Sequence, residues 1–138
     1  MTKKNSKFTP KQLPIKKLFD THTRKMRDFL NLAEWEITTC IVDGLFLNSE
    51  RSTTMVCTVQ INYLRATIQA FDPACKCTEE ELEETLMHEL CHIITEPMYQ
   101  SAIDNASPQE NTHLQRLREQ ETERIARIAI KGYRALNK

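Results

Sequence analysis

Apolar residues recur along this chain in two periods, and the switch between them divides it into elements. Ile15, Leu18, Phe19, His22, Met26, Phe29 and Leu30 follow one another at intervals of three and four. That spacing predicts a helix from residue 15 to about 31 or 32. His22 on this stripe reads as a histidine at the edge of the core. The period then shortens. Residues 35–42 are rich in β-branched side chains and predict a strand, which Asp43-Gly44 ends with a turn. After a polar loop at 48–52, residues 53–61 alternate through Met55, Cys57, Val59 and Ile61. Residues 64–71 give a third strand with Ala66, Ile68 and Ala70 on one face, closed by Asp72-Pro73.

Helical spacing returns at Leu82, Leu86, Leu90 and Ile93 or Ile94. Thr78 is placed to cap this helix, with Glu81 three residues on completing a capping box. Glu79, Glu80 and Glu81 put negative charge in the first turn, where the helix dipole favours it. Pro97 is expected to end the helix near residue 96, leaving a loop through Met98, Tyr99 and Ile103. Ser107-Pro108-Gln109-Glu110 then announces a last helix, with Ser107 as N-cap, Pro108 in the first turn and Glu110 closing a second capping box. It is expected to run nearly to residue 136, with Gly132 a weak point and Leu114, Leu117, Ile125, Ile128 and Ala129 as its core stripe. The expectation is one α+β domain over residues 14–138: an N-terminal helix, a mainly antiparallel three-stranded sheet, then two helices. Residues 1–13 are polar and basic, and read as a flexible tail.

The length, 138 residues, suits one domain with a real core. Lys plus Arg equals Asp plus Glu at 19 each, so net charge gives no argument for a nucleic-acid or acidic-membrane partner. The basic cluster Lys3, Lys4, Lys7, Lys11, Lys16 and Lys17 reads as solvated. The chain has no apolar run long enough to span a membrane and no apolar leader segment in its first residues, so the protein is expected to stay where it is made, in the cytoplasm. The odd number of cysteines, 5, then argues for reduced thiols. Cys75 and Cys77 read as loop thiols rather than a second metal site, and Cys91 as a small buried packer.

The chemistry concentrates in His88-Glu89-Leu90-Cys91-His92. Residues four apart lie on one face of a helix, so His88 and His92 can offer two imidazole nitrogens to one metal ion. Glu89 lies beside them, where its carboxylate can take a proton from water at that metal. A catalytic zinc site takes a third protein ligand. The source is the acidic run Glu119-Gln120-Glu121-Thr122-Glu123 of the last helix. On a helical wheel Glu119 falls beside Ala126 and Ile130, at the edge of the expected buried arc. Glu121 falls nearer its centre, among Leu114, Leu117, Ile125 and Ile128. A buried, unpaired Glu121 is costly, so it is either the ligand or the partner of an arginine. Glu123 reads either as a site residue or as a surface charge paired with Arg127.

These residues resemble the small gluzincin-type zinc metallopeptidases of bacteria and phages. In those enzymes a second helix carries a glutamate ligand, with a small residue three positions on and an acidic or amide residue four on. Glu119, Thr122 and Glu123 match that pattern, followed by Ile125-Ala126 as a packing pair; the resemblance spans about residues 35–129. It implies one Zn2+ per chain held by His88, His92 and Glu119, with Glu123 orienting a histidine. It further implies Glu89 as general base in peptide hydrolysis, a protein or peptide substrate, and an intracellular setting in the bacterium or the infected host. An oxyanion donor is also required; Tyr99, His113 and Tyr133 have suitable side chains. The third strand is a candidate to align an extended substrate. The competing reading is a zinc-binding interaction or regulatory module without proteolysis. A hydrolase acting on a non-peptide bond is a third.

Overall fold

Helix α2 (Glu79–Asp104) is surrounded by other elements. Leu82, Leu86, Met87, Leu90, Cys91 and Ile93 point to different sides of it, and all are buried. A helix apolar on several faces needs several neighbours. Here they are α1 (Leu13–Phe29), the strand β2 (Met55–Gln60) and α3 (Pro108–Leu136). The remaining strands are β1 (Glu36–Ile41) and β3 (Arg65–Ala70). The computed structural model describes residues 8–46 and 53–137. The expected polar loop at 48–52 and the first seven residues of the expected tail lie outside them. Of the tail's remainder, residues 9–12 form a hydrogen-bonded turn, and Gln12 is buried with its side chain donating to Asp43.

The α+β layout is the expected one, but the sheet is mixed, in the order β1-β3-β2. β3 runs parallel to β1, from Glu36↔Arg65 to Ile41↔Ala70. It runs antiparallel to β2, from Met55↔Ala70 to Gln60↔Arg65. β3 is therefore the central strand, and Ala66, Ile68 and Ala70 are its buried face. A short 3₁₀ turn, Ile61–Tyr63, with Leu64 in the left-handed region (φ 49°), links β2 to β3. The Asp43-Gly44 turn is present, and Gly44 takes φ 98° there.

Pro97 does not end α2; the helix continues past it to Asp104. An interior proline loses one backbone hydrogen bond and costs about 3 kcal/mol. Packing overrides that cost. Antiparallel α3 lies along α2, Glu96 pairs with Arg118 at 3.0 Å, and Ile103 is buried. At the other end Arg134 meets Glu80, Glu83 and Glu84 at 3.2 to 3.6 Å. Both caps form. The Thr78 hydroxyl accepts from the Glu81 amide and donates to the Glu81 carboxylate, each at 3.2 Å. Ser107 and Glu110 make a reciprocal capping box.

The α3 seam keeps Ala129 and, at its margin, Ile125 of the expected stripe but is otherwise shifted. Thr122, Ala126, Ala129, Ile130 and Tyr133 are buried, whereas Ile128 is 70 % exposed. Small residues face α2 because two helices in close contact leave little room between their backbones. Gly132 serves the same purpose against α1: a Cβ there would lie 3.1 Å from the Phe29 ring. The helix runs through it unbroken. Among the described residues, no helix is long and apolar enough to cross a membrane.

Candidate metal centre

α2 presents His88 and His92 toward α3, with ring centroids 4.9 Å apart. The i,i+4 spacing of the sequence sets that pairing. Opposite them α3 presents Glu119. Its two carboxylate oxygens lie 3.5 Å from His88 Nε2 and 3.4 Å from His92 Nε2. Such separations exceed the roughly 2.7–2.9 Å of a charge-assisted hydrogen bond. They involve different oxygens of the one carboxylate, Oε2 toward His88 and Oε1 toward His92. Donor atoms of the three residues all lie within 4.8 Å of one another. Two imidazoles and a carboxylate are a donor set that suits Zn2+.

Glu123, one turn along α3, stands behind His88. Its Oε2 is 2.8 Å from His88 Nδ1, and its Oε1 accepts from Arg127 Nε at 3.0 Å. The two readings of Glu123 are thus both realised by one carboxylate. An acceptor at Nδ1 fixes the tautomer that leaves Nε2 with a free lone pair. His92 has no such support: its buried Nδ1 lacks a hydrogen-bond partner among the described residues.

Glu121 is not in this cluster. It is half-buried and pairs with Arg124 at 3.5 Å. The buried arc of α3 is rotated away from the expected leucines and isoleucines, toward Thr122 and Ala126, which moves Glu121 off the seam and leaves Glu119 on the side of the buried Ala126 and Ile130, as the helical wheel placed it. Of the proposed oxyanion donors, Tyr133 is buried against α1, with its hydroxyl 2.7 Å from His22 Nδ1. Tyr99 and His113 line none of the clefts at His88. β3, the expected substrate strand, is paired on both sides.

Glu89 is 8 % exposed and lines a cleft of about 470 Å³ with His88, Thr85, Glu123 and the start of β2 at Thr54 and Met55. Burial pushes its pKa up to about 7, and the Glu119 charge adds to this, while His88 and the Cys57 backbone of β2 pull it down. Burial drives His92 down to about 4, so at neutral pH it is an uncharged imidazole. For His88 burial acts in the same direction, but the Glu119 carboxylate and the charges of Glu89 and Glu123 outweigh it and raise its pKa. The contact with His88 leads in holding Glu119 below the usual glutamate range, against its own burial.

Two threonines set the register of the site: Thr122, read from the sequence only as the small residue after Glu119, and Thr95, which the sequence left without a role. Thr95, one turn past His92, and Thr122, one turn past Glu119, are both fully buried. Their hydroxyls lie 2.8 Å apart, and Thr122 donates onward to the Arg118 carbonyl at 2.7 Å. This link holds the glutamate turn of α3 level with the histidine turn of α2. Its signal in the sequence was a threonine inside each helix, one turn past His92 and one turn past Glu119, where a hydroxyl needs a partner. No protein family, curated protein or solved structure matches the chain.

Proposed function

We propose that the protein is a zinc-dependent peptidase of gluzincin type, with His88, His92 and Glu119 as ligands and Glu89 as general base. The observation that carries this reading is the convergence of both Nε2 atoms on the Glu119 carboxylate at 3.4 and 3.5 Å, beside a buried Glu89 that opens onto a cleft. When bound, zinc supplies a Lewis acid that polarises a carbonyl and acidifies water.

The chain's own residues supply the rest. His92 is uncharged and His88 is oriented by Glu123, so each is prepared to donate a lone pair. Glu119 brings the negative charge that a divalent ion requires. Glu89, with a pKa near neutrality, takes a proton from the attacking water and returns it to the leaving amine. A purely structural zinc site has no need of this carboxylate, and burying it is costly. Among the described residues the edge strand β2 pairs only with β3; its other edge, where the Cys57 backbone meets Glu89, packs on α2 beside the cleft and is the edge along which an extended peptide would lie.

Charge along the cleft is uneven. Glu81 lines it on the β2 side, Arg127 and Lys131 line the groove on the other side of His88, and Glu84 and Glu123 border both. Peptides with basic residues toward β2 and acidic residues toward α3 fit this arrangement.

The test is zinc content and peptide hydrolysis of the purified protein beside Glu89→Gln and Glu119→Ala. Zinc in the wild type and in Glu89→Gln, with hydrolysis in the wild type only, supports the peptidase. Zinc in both with cleavage in neither sinks it and leaves the binding module. Zinc retained in Glu119→Ala overturns the ligand assignment.

A further inference from the structure

A second group of metal-binding side chains lies on the opposite side of α2, where α1 crosses its first turns. His22 of α1 faces Glu83 of α2, with Nε2 3.4 Å from Glu83 Oε1. Its Nδ1 lies 2.7 Å from the hydroxyl of Tyr133, itself buried. The arrangement repeats that of His88. In both, the far nitrogen is anchored by an oxygen at hydrogen-bond distance. In both, Nε2 meets a carboxylate oxygen, at 3.4 Å here and 3.5 Å at His88. Glu79, one turn before Glu83, completes a set whose donor atoms all lie within 4.8 Å of one another.

Four carboxylates, Glu79, Glu80, Glu83 and Glu84, stand here against two cations, Arg134 and Lys17. Arg134 is shared among Glu80, Glu83 and Glu84, and it holds Glu83 through Oε2, leaving Oε1 toward His22. Glu79 makes no ion pair among the described residues. A cavity of about 460 Å³, lined by His22, Glu79, Cys77, Leu82 and Leu13 and also by Lys17, gives an ion a path to the site.

We propose that His22, Glu79 and Glu83 form a second zinc site, separate from the catalytic one, that ties α1 to the start of α2. Three protein ligands from two helices leave a fourth position to water from the cavity. Binding there stabilises the docking of α1, because the ion binds only when both helices are in place.

The site is tested in the full chain carrying His88→Ala and His92→Ala, which silences the first centre. Zinc titration by calorimetry is expected to find one zinc remaining and a higher melting temperature with zinc than without. Adding His22→Ala is expected to abolish that binding. Because Glu79 is exposed, Glu79→Gln leaves the fold intact. It is expected to weaken zinc by more than the roughly 10–100-fold typical of losing an outer partner. No zinc taken up by the His88→Ala/His92→Ala chain overturns the proposal. So does zinc whose affinity neither His22→Ala nor Glu79→Gln changes. Neither result bears on the peptidase reading, which rests on different residues.

Discussion

The Nδ1 atom of His88 lies 2.8 Å from Oε2 of Glu123, across the interface between α2 and α3. The same carboxylate is held from outside by Arg127 at 3.0 Å. A histidine oriented in this way keeps its Nε2 aimed at Glu119 before any ion arrives. Glu123→Ala is expected to lower zinc affinity by about 10–100-fold while leaving the fold intact, since Glu123 is partly exposed. A chelator competition titration measures this; an unchanged affinity removes Glu123 from the site.

Glu89 is buried and its pKa is raised to about 7 from 4.5. An acid whose folded pKa is raised binds more protons folded than unfolded between those values. Metal-free wild type therefore loses stability as pH rises from about 4.5 to 7, by on the order of 3 kcal/mol from this group. Glu89→Gln removes that loss. Without metal it is expected to be more stable than wild type above pH 7, with the advantage fading as pH falls below 5. Urea unfolding across this range gives the answer, and equal stabilities at high pH would mean that Glu89 is better solvated than its burial implies.

In the proposed zinc site protons would compete with the metal for the histidines. His88 has the raised pKa and His92 the lowered one, near 4, so His88 is protonated first as pH falls. Zinc affinity is expected to be level above the His88 pKa. Below it, affinity falls about tenfold per pH unit, steepening only near the His92 value. A two-proton slope beginning near neutrality would contradict this order.

The Thr95–Thr122 hydroxyl pair is fully buried. Thr122→Val leaves the Thr95 hydroxyl with only 3.4 Å contacts to the carbonyls of Cys91 and His92. A loss of about 1–3 kcal/mol follows. Replacing both threonines by valine is expected to recover part of it, because no hydroxyl is then stranded. A double-mutant cycle by denaturant unfolding reads the coupling; strict additivity would mean the pair does not act as a unit.

Pro97 interrupts the hydrogen bonds of a helix that continues beyond it. Pro97→Ala restores the amide donor to Ile93 and is expected to stabilise the protein by about 1–3 kcal/mol. A lower melting temperature would show that the surrounding helices have adapted to the proline.

Local chemistry is legible from sequence where it depends on near neighbours. The caps at Thr78 and Ser107, the Asp43-Gly44 turn, the alternation of β3 and the i,i+4 pairing of His88 with His92 each depend on a few consecutive residues. They all appear in the structure. Tertiary contacts decided the rest. Pro97 is a strong local stop signal, yet packing along α3 outweighs it. β3 enters between β1 and β2, a choice that alternation within a strand cannot encode, because pairing partners are remote. Leucines and isoleucines suggested one face of α3; Ala129 of that stripe is buried, but close approach to α2 selected Thr122 and Ala126 beside it and left Ile128 exposed. That rotation separates Glu119, at the histidines, from Glu121, paired with Arg124. The sequence by itself determined that two histidines and a glutamate share one helix. Which carboxylate meets them depends on how α3 is turned against α2, and that is set by the volume of the small side chains between the two backbones.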